Sequence, residues 1–428
     1  MMFAEEFKTS RSEQIWMYFR FWLDRHSQTR RPFDVVDIFF LIIALLSVLI
    51  QLLMISQISI SYKEAYGFFG TDNFIFDLAR LSTHFFGNND YALRGPFVLI
   101  HFFNMVLIYA ISRVYLKKPT DSLFTVVVYA MLPGINFSGI LITKSGFIIF
   151  ITLWICYINL RYQRIPYLSL FLSIFIDNSS SVLFLALTFY AIKNKMPKTI
   201  IYALFGFALN MNLFDFDISG RPQGHFLDIL GEFAMLFSPF LFIYYNYTLY
   251  WAITKNQNNL MVYVSVSALV FALLLSIRQN IDAEIFAPMI VTGLPIMMKS
   301  FFHDMRVRLP RFRTRYKMRF FIVFVALFLE TFCLFSNKLT YIFSVKNNFA
   351  IGYYVAKELS VAIKKYGITS IHTKDQALAL RLRFYGIKDG GDFRLIKIPN
   401  GSRGDIGISY MGRNIRSYNI IKSTSKNL

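Results

Sequence analysis

Residues 61–96 read SYKEAYGFFGTDNFIFDLARLSTHFFGNNDYALRGP and lie between two strongly apolar segments. The stretch combines many aromatic residues with charged or titratable side chains of both signs, namely Lys63, Glu64, Asp72, Asp77, Arg80, His84, Asp90 and Arg94. A plain connector between two membrane-spanning helices would be shorter and less charged. The sequence therefore predicts a first extracytoplasmic loop, residues 59–95, that presents carboxylates at a membrane surface.

The composition is typical of an integral membrane protein. Of the 428 residues, 55% are hydrophobic and only 16% are charged, whereas soluble domains carry about a quarter charged residues. The net charge of +20 would suggest nucleic acid as the partner of a soluble protein. In a membrane protein it follows from topology and from contact with anionic lipids. We therefore expect anionic membrane lipids as partners and no nucleic acid.

Apolar runs predict eleven membrane-spanning helices within a membrane domain of residues 35–336. They cover residues 35–58, 96–116, 123–142, 147–160, 167–176, 181–192, 200–213, 229–253, 260–277, 285–298 and 320–335. The segments 167–176 and 181–192 are short for a membrane that takes about 20 residues to cross. They predict either two tilted helices or one re-entrant pair.

The charges of the connecting loops alternate along the chain. One set of loops is basic and contains Lys117, Lys118, Arg161, Arg164, Lys193, Lys195, Lys198, Lys255 and the run from Lys299 to Arg319. The other set is acidic and includes Glu64, Asp72, Asp77, Asp177, Asp282 and Glu284. The positive-inside rule then predicts a cytoplasmic N-terminus and places the acidic loops outside.

Two segments flank the membrane domain. Residues 1–34 predict a cytoplasmic segment with an amphipathic helix on the membrane face, because Ser10 and Glu13 match a capping box ahead of apolar residues at helical spacing. Residues 337–428 predict a small extracytoplasmic α/β domain, with helices at 350–366 and 376–385 and strands at 368–372, 393–398 and 406–410. The predicted fold is thus an all-α polytopic membrane domain followed by this α/β domain.

Residues 85–118, FFGNNDYALRGPFVLIHFFNMVLIYAISRVYLKK, resemble the end of the first lumenal loop and the second span of C-type glycosyltransferases. The resemblance is to the bacterial protein-mannosyltransferase-like and aminoarabinose-transferase-like branch. The residues that follow the phrase of that branch are Phe86, Gly87, Asn89, Asp90, Ala92, Arg94 and Pro96. Residues 278–295, RQNIDAEIFAPMIVTGLP, resemble a late span of the same branch.

The resemblance implies an enzyme of the bacterial inner membrane with a periplasmic C-terminal domain. It implies inverting transfer of a hexosyl or pentosyl group from a polyprenyl-phosphate-linked donor to a lipid, glycan or protein acceptor on the outer face. Such chemistry needs a carboxylate that takes the acceptor proton and cations that face the departing phosphate.

The residues that the resemblance implies for these roles lie mostly in the first loop. The family has an acidic pair after its first span, and the matching residues here are Lys63 and Glu64. Glu64 is the predicted base, with Asp72 and Asp77 as further candidates. The predicted phosphate ligands are Lys63, Arg80, Arg94 and Lys144, although Arg94 and Lys144 are as well explained by structural roles. Because Lys63 replaces an acid, we expect no cofactor, and a divalent metal is possible but not favoured.

Other polar residues carry weaker predictions. His84, Asp217, Arg221, His225 and Arg278 are predicted to line the same cavity. The two cysteines, Cys156 and Cys333, fall inside apolar segments and predict neither a disulfide nor a thiolate metal site. A catalytically altered or inactive relative that binds, transports or assembles lipid-linked glycans is the alternative function. A transporter is disfavoured because no matched pair of broken helices is evident.

Overall fold

The computed structural model describes residues 34–214, 224–342, 348–399 and 404–422. The predicted N-terminal amphipathic helix, Asp217 and Arg221 lie outside the described residues. The described chain is mostly helical, with one small sheet near its C-terminal end.

Ten helices make up the first half of the described chain, up to the gap at residues 215–223. They are α1 Val35–Gln57, α2 Tyr62–Gly70, α3 Phe74–Phe86, α4 Asp90–Tyr115, α5 Pro119–Met131, α6 Pro133–Ile140, α7 Ser145–Tyr162, α8 Tyr167–Ser173, α9 Ser180–Lys193 and α10 Pro197–Phe214. The second half contains α11 Phe226–Phe237, α12 Pro239–Thr254, α13 Leu260–Ser276, α14 Ala283–Ile290, α15 Leu294–Val307, α16 Pro310–Phe335, α17 Ala356–Lys365 and α18 Gln376–Phe384.

Within the described ranges, five helical segments are long and apolar enough to cross a membrane. They are α1, α4, α7, the continuous segment Ala283–Val307 and α16. The count rises to 7 if each of two bent helix pairs is one span. Further apolar helices, such as Ser180–Lys193 and Leu260–Ser276, are shorter. The structure therefore supports an integral membrane protein, and the number of eleven spans stays a prediction.

Two of the predicted spans are not straight helices. The prediction of one continuous helix over residues 229–253 is wrong. The structure has two helices there, α11 and α12, and the chain bends by 104° between them. The break lies at Ser238, which has a φ of 71°, and Pro239 then starts the next helix. The predicted helix 123–142 likewise bends by 66° between α5 and α6, at Leu132 and Pro133. Proline has no N–H to continue the first helix and suits the first turn of the second.

Helix α4 lies at the centre of the bundle. Its buried face includes Phe97, Met105 and Ile108, and it packs against α1, α3, α5 and α7. Helices at the outside, by contrast, expose large apolar side chains, as α1 does with Leu45 and Leu49. An apolar outer surface of this extent fits a lipid environment, since lipid tails are as apolar as leucine.

The C-terminal sheet has four strands in the order β1-β2-β4-β3. The strands are β1 His372–Thr373, β2 Phe393–Ile398, β3 Ile406–Tyr410 and β4 Arg413–Lys422. Strand β1 is parallel to β2, and the other pairs are antiparallel. Strands β2 and β3 have the predicted bounds. The predicted strand 368–372 is reduced to the two residues of β1, and β4 was not predicted.

The C-terminal segment is anchored to the start of the first loop. Arg381 donates hydrogen bonds to the carbonyl oxygen of Ile60 at 2.7 Å and to Ser59 Oγ at 2.9 Å. The Tyr385 hydroxyl donates to Asp90 at 2.6 Å, and Lys357 forms an ion pair with the same carboxylate at 2.8 Å. Burial lowers the pKa of Arg381 relative to its usual value. The first loop is therefore held between the helical bundle and the C-terminal segment.

Candidate functional site

Helix α2 starts with a capping box that fixes the position of Glu64. The Glu64 backbone N–H donates to the Ser61 hydroxyl, and the Ser61 N–H donates to Glu64 Oε2 at 2.9 Å. Such reciprocal bonds satisfy two donors that a helix start otherwise leaves unpaired. The carboxylate is thus directed back toward the C-terminal end of α1, and away from the exposed side of the loop.

Glu64 forms a buried ion pair with Arg94. Its side chain is 5% exposed and that of Arg94 is 0% exposed, and Arg94 Nη2 lies 2.8 Å from Glu64 Oε2. Arg94 Nε donates to Glu64 Oε1 at 3.4 Å, and Nη2 also donates to the Ser59 carbonyl at 3.1 Å. The Ile142 N–H donates to Glu64 Oε1 at 3.3 Å. Glu64 therefore links α2, α4 and the connection between α6 and α7.

A polar cavity opens beside the Ile142 end of this network. Its volume is about 360 Å³, and its polar lining residues are Asn73, Thr143, Lys144, Ser145, Asp177, Asn178, Asp282 and Glu284. Lys144 Nζ lies 2.6 Å from Asp177 Oδ1, and the Asp177 side chain is largely buried. Lys63 is exposed and within electrostatic range of Glu284. The predicted outer loops after α2, α6, α8 and α13 thus meet around one cavity.

An apolar cavity of about 220 Å³ adjoins the polar one. Its walls come mainly from α6, α11 and α14, and include Ile135, Leu236, Phe237 and Pro288. Thr143, Ser145 and Glu284 line both cavities. Two of these helices, α6 and α11, lie next to the bends at Pro133 and Pro239. The site can therefore accept a ligand that has one polar and one apolar part.

Tyr353 closes the network on the side of the C-terminal segment. Burial, together with the negative charge of Glu64, raises the pKa of the Tyr353 phenol to about 12, although a hydrogen bond with Ser61 and the charge of Arg94 act in the opposite sense. Because this pKa is far above neutral pH, the phenol stays protonated and keeps a proton to donate.

Two crystal structures of ArnT from Cupriavidus metallidurans superpose on this arrangement. One is bound to undecaprenyl phosphate and the other is in the apo state; each has a TM-score of 0.52 and covers 81% of this chain and 84% of ArnT. This chain has the fold of ArnT. The sequence identities are 13% and 12%, so the likeness shows the fold alone. No protein-family model matches the sequence, and no curated protein matches it.

The fold shared with ArnT agrees with the fold that the resemblance of residues 85–118 implied. The mostly helical membrane domain is confirmed with it. The extracytoplasmic position of the C-terminal segment, and the domain bounds 35–336 and 337–428, stay predictions.

The structure separates the predicted first-loop residues into two groups. Glu64 and Arg94 form the buried pair, whereas Arg80 lies near the surface with Asp77 at 2.6 Å and Asp72 at 3.9 Å. Arg80 also donates to the carbonyl oxygens of Phe68 and Thr71, which joins α2 to α3. Arg80 and its two carboxylates are thus a surface cluster. None of the three lines the two adjoining cavities.

The remaining predicted site residues lie elsewhere or outside the described residues. His84 is exposed on α3. His225 lies at the start of α11, where its Nδ1 is 3.2 Å from Asp228. Arg278 is exposed between α13 and α14. None of these three residues lines either of the two cavities, and neither does Glu64. Lys144 lines the polar cavity.

Asp282 and Glu284 line the site but were not predicted as site residues. The sequence contains a feature that could have indicated them, because each is an acid next to an apolar run, at its predicted outer end. Asp177 was likewise not predicted as a site residue, and it lines the polar cavity in an ion pair with Lys144. In the described part of the chain, no group of three His, Cys, Asp or Glu side chains is placed to hold a metal ion. The expectation that the reaction does not depend on a divalent metal stays a prediction.

Proposed function

We propose that this protein is an integral membrane glycosyltransferase that takes a sugar from a polyprenyl-phosphate carrier. The observation that carries the proposal is the pair of adjoining cavities, one polar and one apolar, which share Thr143, Ser145 and Glu284. A polyprenyl-phosphate-linked sugar has the same division, since its isoprenoid chain is apolar and its phosphate and sugar are polar. The fold of ArnT, one structure of which is bound to undecaprenyl phosphate, supports the proposal.

In this proposal, the isoprenoid end occupies the apolar cavity and the phosphate lies near Lys144. Lys144 is already oriented by Asp177 at 2.6 Å, and Lys63, which does not line the cavity, is within electrostatic range of Glu284. An ammonium group acts on phosphate as a point charge. Two such groups stabilise the negative charge that develops on the phosphate as it leaves.

The proton acceptor has to be a carboxylate that reaches the acceptor hydroxyl. Glu284 lines both cavities, whereas Glu64 is buried and accepts four hydrogen bonds. We therefore favour Glu284 as the base, and we assign to Glu64 the positioning of Arg94 and the Ile142 backbone. The assignment of Glu64 as the base, which the family resemblance implies, remains the alternative.

The reaction is a single displacement. The carboxylate takes the proton of the acceptor hydroxyl, and the acceptor oxygen forms a bond to the anomeric carbon. The bond between that carbon and the phosphate oxygen breaks, and the bonding electrons leave with the polyprenyl phosphate. Attack opposite to the leaving phosphate inverts the anomeric configuration. The acceptor, a lipid, glycan or protein, reaches the site from the outer face of the bacterial inner membrane.

Complementation of a deletion strain tests the proposal. Mass spectrometry of envelope glycolipids, glycans and glycoproteins is expected to show a sugar that is missing in the deletion strain and restored by the wild-type gene. Glu284→Gln is expected not to restore it at equal membrane abundance. Asp228→Asn is the matched control, because Asp228 is an exposed acid outside both cavities. Identical sugars with and without the gene would contradict the proposal.

A further inference from the structure

A second group of cavities lies at the opposite end of the bundle, where the basic loops meet. The larger cavity has a volume of about 470 Å³ and is reached by Lys117 after α4, Lys255 after α12 and Lys299 in α15. A neighbouring cavity of about 340 Å³ shares Gln257 and Lys299 with it. Helix α4 separates this end from the candidate site by 26 residues, or about 39 Å of helix.

The charges in the larger cavity are unbalanced. Asp121 accepts hydrogen bonds from Arg306 Nη2 at 2.6 and 2.5 Å, so the charge of this carboxylate is already compensated. Asp304 is the other carboxylate in the lining. In the part of the chain that the structure describes, Lys117, Lys255 and Lys299 have no carboxylate within ion-pair distance. The cavity therefore has an excess of positive charge.

Lys299 makes this excess costly. Its side chain is half-buried, its Nζ lies 3.8 Å from the centre of the Tyr115 ring, and the charge of Lys117 acts on it. Partial removal of an ammonium group from water costs free energy, and a neighbouring ammonium group adds repulsion, unless an anion compensates the charge. A bound anion between Lys299 and Lys117 would remove this cost.

The wall of the cavity indicates where the anion comes from. Tyr247 and Trp251 line the cavity and are also exposed on the outer surface of α12. Lys255 Nζ lies 4.5 Å from the centre of the Trp251 ring. Tyrosine and tryptophan next to lysine are typical of the level of the lipid headgroups. The cavity is therefore accessible from the membrane at headgroup depth.

We propose that this cavity binds a phosphate group of an anionic lipid headgroup, between Lys117, Lys255 and Lys299. Lysine ammonium groups suit phosphate as point charges, and the cavity volume falls in the range of small-ligand sites. The site lies away from the two cavities of the candidate active site and does not depend on the proposed enzymatic function.

Native mass spectrometry of the purified full-length protein tests the proposal. The detergent-solubilised protein is titrated with dioleoylphosphatidylglycerol, and dioleoylglycerol serves as the lipid that has no phosphate. Lys299→Gln is expected to weaken phosphatidylglycerol binding about tenfold, the effect of losing one charge-assisted contact. Lys299→Arg is expected to retain binding. Lys118→Gln is the matched control, because it removes the same charge from the same loop outside the cavity.

A second arm distinguishes a lipid phosphate from a soluble one. Sodium phosphate and glycerol 3-phosphate are titrated against lipid-free protein. If only their binding depends on Lys299, the phosphate site is supported and the lipid source is overturned. Lys255→Gln removes an exposed side chain and carries the same test if Lys299→Gln does not fold. Wild-type affinity for all three phosphate ligands in both variants would overturn the proposal.

Discussion

Substitution of Glu64 by glutamine separates a structural role of this residue from a catalytic one. In the folded protein, the Glu64 carboxylate accepts from Arg94 at 2.8 Å, from the Ser61 N–H at 2.9 Å and from the Ile142 N–H at 3.3 Å. Glutamine keeps one acceptor oxygen and replaces the other by an NH₂ group. That NH₂ group is a donor, and it would face the N–H groups that donate to the carboxylate in the wild-type protein. Arg94 then stays fully buried without its carboxylate partner, and its acceptors are the Ser59 carbonyl and at most the single glutamine oxygen.

The expected cost follows from these contacts. Removing one partner of a buried ion pair leaves an uncompensated charge and costs about 3–5 kcal/mol. We therefore expect Glu64→Gln to lower the free energy of unfolding by about this amount. A denaturant titration of the purified protein in detergent, followed by tryptophan fluorescence, measures it.

A double-mutant cycle provides the control. Glu64→Gln combined with Arg94→Met removes both charges and fills the arginine stem volume, so we expect the pair to be less destabilised than the sum of the two single variants. The reasoning is refuted if Glu64→Gln folds with wild-type stability and yet loses activity by about 10²–10⁴-fold, the range for a lost general base. That result would restore Glu64 as the proton acceptor.

Three other predictions concern the donor site, the C-terminal contact and the topology. Lys144→Gln removes the ion pair to Asp177 and is expected to raise the KM for the lipid-linked donor about tenfold, whereas Lys144→Arg should keep it near the wild-type value; equal KM values for all three proteins would exclude Lys144 as a phosphate ligand. Tyr385→Phe removes the hydrogen bond that the hydroxyl donates to Asp90 and the one that it accepts from the Ile60 N–H. It is expected to lower the free energy of unfolding by about 1–3 kcal/mol and to speed proteolysis of the C-terminal segment, and unchanged proteolysis would show that this contact is dispensable. In a Cys333→Ser background, cysteines introduced at Asp72 and at Lys118 are expected to react with a membrane-impermeant maleimide from opposite faces, Asp72 from outside; labelling of both from one face would overturn the predicted topology.

The sequence was enough to predict the membrane class, most helical segments and the separation of charges. The free energy of transferring a segment into lipid depends on the apolar residues of that segment itself. It can therefore be read from an apolar run without knowing how the helix packs. The same local patterns predicted β2 and β3 of the sheet. The phrase at residues 85–118 was specific enough to imply the C-type fold that the ArnT structures share.

The contacts that build the site depended on tertiary structure. Arg94 lies 30 residues from Glu64, and Asp177 lies 33 residues from Lys144. Glu284 reaches the same cavity from a helix much later in the chain. A charged residue at the end of an apolar run has the same local pattern whether it faces water, a buried partner or a ligand cavity. Which of these environments it meets depends on how the helices bend and pack, so Glu64 and Glu284 acquire different surroundings that their neighbours in sequence do not specify.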